Sequence, residues 1–331
     1  MINYELINYC EFDKYAEKSY SLIHNEPIEK NLGDITKVNE KEIADFNMMT
    51  WGFPCTDISV AGKQKGFIDN YCNKTRSGMY YEGIRILREK KPALSIIENV
   101  KNLASKKFKA EFEQVLGDLN KCEYNTYWEI LNAKDYGIPQ NRERVFLVSI
   151  RKNLDNGKFK FPQGFDNKIN FKNLLDNNVQ SKYKKIHIFN RQSKYSDFIY
   201  NNLSIIKLIE NGNKITHRQD GLIYTLTASG RNCGNNQYIC DLNRVLTPQE
   251  TFKFMGFSEI DCQTCIQNGI SDTQIYKQAG NSIVVDVLYY ILLELYKAMP
   301  YLLEDIKLSS FFSGIGAFEK AIKMLQQEVN N

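Results

Sequence analysis

The first half of the chain alternates between short apolar runs and stretches with apolar residues at helical spacing. Residues 4–9 read as a strand, and Asp13 is placed to cap a helix through Tyr15, Ala16 and Tyr20 to Leu22. Met48 and Met49 lead into Trp51 as the end of a buried strand. Residues 79–89 carry apolar residues at Tyr80, Ile84 and Leu87, a helical period. Residues 93–97, just after Pro92, form a short apolar run that predicts a fully buried strand ending at Glu98 and Asn99. A helix over residues 111–119, a strand over 127–131 and a buried strand over 145–150 follow. This alternation predicts an α/β fold with a doubly wound, mostly parallel sheet.

From about residue 161 the texture changes. Asparagine, lysine and tyrosine dominate up to about residue 243, and strand-like pieces at 221–228 and 237–240 are separated by glycine and asparagine turns. The expected division is a catalytic, cofactor-binding domain over 1–170 and 280–331, with a smaller, irregular, β-rich domain and hinge over 171–279. Residues 248–255 predict a helix with Thr247 as N-cap and Pro248 at its first position. Residues 281–299 predict one long amphipathic helix. At the end of the chain, a strand over 306–312, the glycine turn Ser313-Gly314-Ile315-Gly316 and a helix over 316–325 make a strand–loop–helix unit of the type that holds nucleotide-like cofactors. Such a unit normally opens an α/β domain; here it closes the chain.

Composition narrows the classes. The 331 residues are 43% hydrophobic, and 43 basic against 39 acidic residues leave a net charge of +4, too small to argue for nucleic acid. Locally, Lys182, Lys184, Lys185, Arg191 and Lys194 form an acid-free basic run that suits either a solvated face or phosphate contacts. No uninterrupted apolar run is long enough to cross a bilayer, and Glu5 and Glu11 break any signal-peptide pattern, so the expectation is a cytoplasmic protein without membrane association. The eight cysteines are expected to be reduced, and the lone pair Cys262 and Cys265 has no second pair at zinc spacing, so no metal is expected.

One cysteine stands apart. In Trp51-Gly52-Phe53-Pro54-Cys55-Thr56-Asp57-Ile58-Ser59, Gly52 and Pro54 end the strand and deliver Cys55 at a turn, rigidly held yet accessible. A small buried thiol would read similarly from the local sequence. Three further pieces stand beside it: Glu98-Asn99-Val100 at a strand end, Gln140-Asn141-Arg142-Glu143-Arg144 before a strand, and Gly280-Asn281-Ser282 at the head of the long helix.

Together these resemble the DNA cytosine-5 methyltransferases of bacterial restriction–modification systems. Arg244 to Glu250 with Met255-Gly256-Phe257, and Phe312-Ser313-Gly314-Ile315-Gly316, match further segments of that family. The order departs from the family, whose glycine loop comes first; joining Asn331 to Met1 restores it, which implies a circular permutation. Ser310 and Ala317 stand where many members have an acid and a second glycine.

The resemblance implies a methyltransferase fold that uses S-adenosyl-L-methionine, releases S-adenosyl-L-homocysteine and needs no metal. It implies Cys55 as the thiolate that attacks cytosine C6, Glu98 at the base's N3 and amine, and Arg142 and Arg144 at the base carbonyl, the carboxylate and nearby backbone. Glu11 would bind the ribose, Phe12 and Phe312 would sandwich the adenine, and Asp34 would accept from its amine. Gly314, Gly316, Pro54, Asn281 and Ser282 would line the remainder of the cofactor site. Ser59, Gln64 and Thr225 would meet double-stranded DNA, whose target base must be flipped out, with residues 56–77 as a lid. A cognate restriction endonuclease is a candidate partner of a protein expected to act as a monomer. An RNA cytosine-5 methyltransferase and a non-catalytic DNA-binding relative are the competing readings. No motif in 171–279 points to RNA, and Cys55, Glu98 and Arg144 are all present. The recognition sequence has no readable code in the chain.

Overall fold

The structure, a computed structural model, describes residues 1–60, 62–165, 169–183, 205–209, 214–228, 237–242 and 244–331. Among them the strands are β1 (Asn3–Cys10), β2 (Met48–Trp51), β3 (Leu94–Val100), β4 (Tyr124–Asn132), β5 (Gln140–Asn141), β6 (Glu143–Arg151), β7 (Ile205–Ile209), β8 (Lys214–Arg218), β9 (Ile223–Tyr224), β10 (Gln237–Ile239), β11 (Arg244–Val245) and β12 (Asp305–Phe311). The helices are α1 (Lys14–His24), α2 (Tyr80–Lys90), α3 (Lys109–Lys121), α4 (Pro248–Lys253), α5 (Glu259–Gln267), α6 (Asp272–Asn281), α7 (Val285–Ala298) and α8 (Ala317–Asn330). They fall into two compact units, the first formed by Met1–Leu131, Glu143–Gln163 and Val287–Asn331, the second by Asn132–Arg142 and Gly164–Asp286.

In the first unit six strands form one sheet in the order β1-β12-β2-β3-β6-β4. β1, β12, β2 and β3 pair in parallel and β6 runs antiparallel to β3, so the expected mixed α/β arrangement with a mostly parallel sheet is the one that forms. All four residues of β2 are buried, as a strand covered on both faces requires. Asp13 caps α1 as expected, its Oδ1 accepting from Tyr15 N at 2.9 Å and Ala16 N at 3.3 Å. The helix runs two residues beyond Leu22 and stops where Asn25 turns left-handed, with φ 54°.

β12, last in sequence, lies inside the sheet between β1 and β2. Asn8 Nδ2 donates to Ser309 Oγ at 2.8 Å on one side, and Thr50 Oγ1 to Ser310 Oγ at 3.2 Å on the other. The two ends of the chain meet at the surface. Ile2 N donates to Asn330 Oδ1 at 2.8 Å, while Asn330 Nδ2 and Gln326 Nε2 donate to Ile2 O at 3.0 and 3.1 Å.

The second unit holds a four-stranded sheet, β11-β10-β7-β8, antiparallel throughout, and the short parallel pair β5-β9. Thr247 caps α4 as expected, in a reciprocal box with Glu250. Glu250 also takes Arg244 through both oxygens, at 2.8 and 2.6 Å, and the pair is buried. Cys262 and Cys265 are buried in α5, where burial pushes the Cys262 thiol up, and no metal-holding cluster occurs among the described residues. Of the basic run, Lys182 pairs with Asp272 at 2.7 Å; Lys184, Lys185, Arg191 and Lys194 lie outside the described residues.

The single helix expected over residues 281–299 is instead two. Asn281 ends α6, Ser282 turns extended as its C-cap, and α7 starts at Val285. In a continuous helix the carbonyls of Gly280 and Ser282 would accept from the amides four residues on. Here Arg142 Nη2 takes both, at 3.1 and 2.6 Å, and Val285 N donates to Met255 O at 3.0 Å. The Asp272–Ala298 stretch has a mean hydropathy of 1.3, sufficient by length and composition to cross a membrane, unlike the reading from apolar runs. However, 56% of that window is buried within the protein and the break at Ser282 divides it, the pattern of core helices.

Asp286, in the first turn of α7, illustrates burial overriding a helix N-terminus. The dipole there favours a carboxylate, yet burial pushes Asp286 up to about 6. Its ionised form is therefore disfavoured in the folded state. That cost is absent below the unfolded carboxyl's pKa, about 3.9, grows as pH rises, and is complete above the folded value. Asp286→Asn is expected to match the parent near pH 4 and to exceed it by about 2 kcal/mol at pH 8. Urea midpoints at both pH values check this; a constant difference would refute it.

Candidate active site

The parallel strands β1, β12, β2 and β3 all point their C-terminal ends to one edge of the sheet. That edge is where open α/β sheets bind ligands. Glu11 and Phe12 follow β1, Phe312 to Gly316 follow β12, and Gly52 to Cys55 follow β2. Glu98 and Asn99 lie near the end of β3, and Arg144, opposite Val100, enters β6 at the same edge.

The Cys55 turn is built from its neighbours. Phe53, 2% exposed, sits among Trp51, Phe67 and Tyr80, with ring centroids 5.5 to 5.9 Å away. Asn99 Nδ2 donates to Phe53 O at 3.0 Å and so braces the turn. Cys55 O accepts from Ile58 N at 3.0 Å and Ser59 N at 2.8 Å, closing the turn. Cys55 and Pro54 are half-buried, so the thiol is held yet reachable. A Cβ added to Gly52 would sit 3.6 Å from Glu98 Oε2, which places the Glu98 carboxylate directly beside the strand end that carries the turn.

Glu98 Oε1 accepts from Arg144 Nε at 3.0 Å, and the two side chains are 12% and 17% exposed. Arg144 Nη1 also donates to Glu143 O at 2.8 Å. The pair is held but not sealed from solvent.

Residues 56–77 are folded back on themselves. Gly66 N donates to Asp57 O, Asp57 N to Ser77 Oγ and Gly62 N to Ser59 O, each at 3.0 Å. A side chain at Gly62 would collide with Thr56 O at 1.8 Å. Gln64 adopts a left-handed φ of 54°, donates through Nε2 to Val60 O at 3.0 Å, and accepts from Lys107 Nζ at 2.5 Å.

The glycine loop after β12 has three left-handed residues: Phe312 at φ 55°, Gly314 at 57° and Gly316 at 78°. For phenylalanine this is a costly conformation, retained where the surroundings impose it. Glu11 does part of that. Its Oε2 accepts from Gly314 N at 2.9 Å and its Oε1 from Asp13 N at 2.8 Å. Burial pushes the Glu11 carboxyl above the usual range, against the pull of these backbone donors. Gly316 is pinned from below. A Cβ there would lie 2.1 Å from His24 Nε2, which donates to Ile315 O at 3.0 Å. Beside Glu11, Phe12 is 80% exposed, an unusual state for a phenylalanine on a rigid turn. Asp34 uses Oδ1 to cap a short turn, accepting from Thr36 N at 3.1 Å and Thr36 Oγ1 at 2.8 Å, and these donors hold its carboxyl below the usual range.

Four residues named from sequence lie in the second unit. Arg142 is 3% exposed, and its guanidinium donates to Leu226 O at 2.7 Å as well as to Gly280 O and Ser282 O. Arg142 lies in β5, which pairs with β9, and Arg144 in β6, which pairs with β3. Thr225 Oγ1 donates to Asn141 O at 2.5 Å, so its hydroxyl proton is committed to backbone. Asn281 and Ser282 close α6 rather than opening a helix. A cavity of about 740 Å³ in this unit, lined by Lys172, Asp176, Asn178 and Arg244 among others, contains none of the named site residues.

Several residues that organise the site left no trace in sequence patterns. Asn31 Oδ1 accepts from Glu11 N at 2.9 Å and Gly33 N at 3.0 Å, and its Nδ2 donates to Glu11 O at 3.0 Å, tying the turn of Glu11 to that of Asp34. Tyr20 and the buried Glu319, linked at 2.8 Å, back the glycine loop with His24. Each is a lone polar residue whose partner is remote in the chain.

A family model described as C-5 cytosine-specific DNA methylase matches residues 1–297. Type II methyltransferase M2.ScrFI of Lactococcus lactis subsp. cremoris is 39% identical over 274 residues, 82% of this chain and 72% of that protein. Type II methyltransferase M.HhaI of Haemophilus parahaemolyticus is 36% identical over 289 residues, 85% of this chain and 84% of that protein. Among solved structures, a mutant of the Spodoptera frugiperda DNMT2 protein aligns with a TM-score of 0.62 at 16% identity, covering 89% of this chain and 92% of that one. The Entamoeba histolytica methyltransferase EhMeth aligns at 0.59 and 21% identity, covering 89% and 90%. At such identities these two likenesses speak for the fold alone.

Proposed function

The chain belongs to the C-5 cytosine-specific DNA methylase family and is a DNA cytosine methyltransferase; from that premise we propose that it methylates C5 of a cytosine flipped out of duplex DNA, through a covalent bond between Cys55 and C6. The observation that carries this reading is the gathering of the Cys55 turn, the Glu98–Arg144 pair and the Glu11-braced glycine loop at one edge of the parallel sheet.

Cytosine C5 is a weak nucleophile. The Cys55 thiolate attacks C6, an Sγ–C6 bond forms, and the displaced electron pair makes C5 enamine-like. Glu98 shares a proton with N3 and accepts from the exocyclic amine, so that the negative charge which attack pushes into the ring is neutralised by the proton held at N3. Arg144 fixes Glu98 through their 3.0 Å contact and supplies positive charge beside the ring. After C5 has taken the methyl group its proton passes to solvent water, the C5–H electron pair re-forms the C5–C6 double bond, and the Sγ–C6 bond breaks with its pair returning to sulfur, which restores both ring and thiolate. Arg142 acts as a positioning residue for the backbone at Leu226, Gly280 and Ser282.

The residues after β12 and β1 fit S-adenosyl-L-methionine. Gly314 is left-handed with open space where a Cβ would stand, the Glu11 carboxylate faces the loop, and Phe12 presents its ring to solvent. When bound, this cofactor supplies an electrophilic sulfonium methyl group, and S-adenosyl-L-homocysteine is the product. Glu11 would hold the ribose hydroxyls, Phe12 and Phe312 the adenine faces, and Asp34 the adenine amine; Pro54, Asn281 and Ser282 would complete the site. Double-stranded DNA is the substrate, with Ser59, Gln64 and Thr225 at the strand and residues 56–77 as the lid. Residues 171–279 are proposed to read the target sequence; the second compact unit contains this range and also Asn132–Arg142, 164–170 and 280–286, which the sequence reading assigns to the catalytic domain. A soluble, monomeric protein paired with a restriction endonuclease completes this reading.

The chain order is proposed to be a circular permutation. The match to the family ends at residue 297, before the glycine loop, while β12 pairs with both β1 and β2 and the chain ends are hydrogen-bonded to each other.

Methylome sequencing of expressing cells supplies the target sequence. A duplex with 5-fluorocytosine at that target is then expected to trap the protein, because fluorine cannot leave C5 as a proton. Intact-mass analysis should show protein plus DNA plus one methyl group. Free protein alone, with cofactor present, would contradict the covalent route.

A further inference from the structure

We propose that residues 101–109, immediately after the Glu98-Asn99 strand end, form a ridge that binds the phosphate backbone of the substrate duplex. This rests on the reading that DNA reaches Cys55 at this edge of the sheet. The segment Lys101-Asn102-Leu103-Ala104-Ser105-Lys106-Lys107-Phe108-Lys109 carries four lysines and no acid. All four are exposed, whereas Leu103 and Phe108 are buried and anchor the segment in the core cluster of the first unit. Lysines on an anchored segment present charge at fixed positions, as a backbone contact requires.

The ridge adjoins the proposed chemistry on two sides. Asn102 Nδ2 donates to Ile58 O at 2.5 Å, in the turn of Cys55, and Lys107 Nζ donates to Gln64 Oε1 at 2.5 Å, in the lid. Lys101 pairs with Glu143, the neighbour of Arg144, at 2.8 Å. Lys109 meets Glu113 at 3.5 Å with both side chains largely exposed, a pairing worth little. Lys106 and Lys107 have no carboxylate partner among the described residues. Across the Gln64 contact, the lid adds the exposed Lys63 and Lys65. Positive charge therefore gathers where the ridge and the lid meet, next to the Cys55 turn, with a polyanion as the occupant that matches it.

The test is equilibrium binding of a fluorescently labelled mixed-sequence duplex as salt is varied, with no methyl transfer involved. Counterion release predicts that log Kd against log salt loses about 0.9 in slope for each phosphate contact removed. Lys106→Gln/Lys107→Gln/Lys109→Gln is expected to reduce the slope by about 2 to 3 and to weaken binding about tenfold or more near 0.1 M salt. Neutralising Lys152, Lys158 and Lys160, beyond the far end of β6, removes the same net charge and is expected to leave the slope within about 0.5 of the parent. Binding of S-adenosyl-L-homocysteine should be the same in all three proteins. An unchanged slope in the ridge variant, equal losses in both variants, or a parent that does not bind the duplex would each overturn the ridge. Failure of the covalent mechanism would appear separately, in the fluorocytosine experiment, with the slopes unaffected.

Discussion

Replacing Cys55 by serine is expected to abolish methyl transfer while leaving the protein folded and able to bind S-adenosyl-L-homocysteine. A hydroxyl is far less ionised than a thiol near neutral pH and is the poorer nucleophile at carbon. The loss should be on the order of 10³-fold or more, which corresponds to about 4 kcal/mol of barrier. The turn itself should survive, because its supports lie elsewhere. Phe53 is locked in the aromatic cluster, Asn99 holds Phe53 O, and the bonds from Ile58 and Ser59 reach the backbone carbonyl of Cys55, not its sulfur. A tritiated-methyl transfer assay paired with calorimetric titration separates chemistry from binding. Turnover near that of the parent would remove Cys55 from the mechanism. Loss of S-adenosyl-L-homocysteine binding along with activity would mean that the cysteine serves the fold.

Deleting residues 306–331 is expected to have the largest structural effect of any change considered. In most chains a C-terminal segment of this length is peripheral; here it carries β12, an interior strand, and α8. Ile306, Leu308, Phe311, Ile315, Phe318, Ile322 and Leu325 are each no more than 5% exposed. Buried apolar side chains of this kind contribute about 2 kcal/mol each, and their sum rivals the roughly 5–15 kcal/mol that stabilises a typical domain. The truncated protein should be insoluble or unable to bind S-adenosyl-L-homocysteine. A rearranged gene that places residues 304–331 directly ahead of Met1 should, by contrast, yield a folded, active enzyme. The ends to be joined already meet through Ile2 and Asn330. Undiminished cofactor binding by the truncation would assign Gly314-Ile315-Gly316 to a coincidental turn. An unfolded rearranged protein would count against the permuted reading.

The amino-acid sequence by itself determined those features whose causes are local. Asp13 caps α1 because a short acceptor side chain precedes a helical apolar period, and Thr247 with Glu250 caps α4 for the same kind of reason. The buried strands β2 and β3 follow from short, mainly apolar runs, the first ended by Gly52 and the second opened after Pro92. Cys55 is presented at a turn because Gly52 and Pro54 allow little else. The motif set was legible too, since its members keep their order apart from the displaced glycine loop. Tertiary structure decided whatever depends on a partner remote in the chain. Arg142 looked equivalent to Arg144 at period two, yet carbonyls from Leu226, Gly280 and Ser282 converge on it and interrupt the long helix where two of them are withdrawn. Thr225 donates its hydroxyl to Asn141 O, a partner that strand periodicity does not reveal. Asn31, His24 and Glu319 carry no pattern of their own, and become organisers of the glycine loop and its neighbours only once β12 has been inserted between β1 and β2. Periodicity and turn chemistry are written along the backbone, whereas a buried polar side chain takes its role from whichever donor or acceptor the fold brings within about 3 Å.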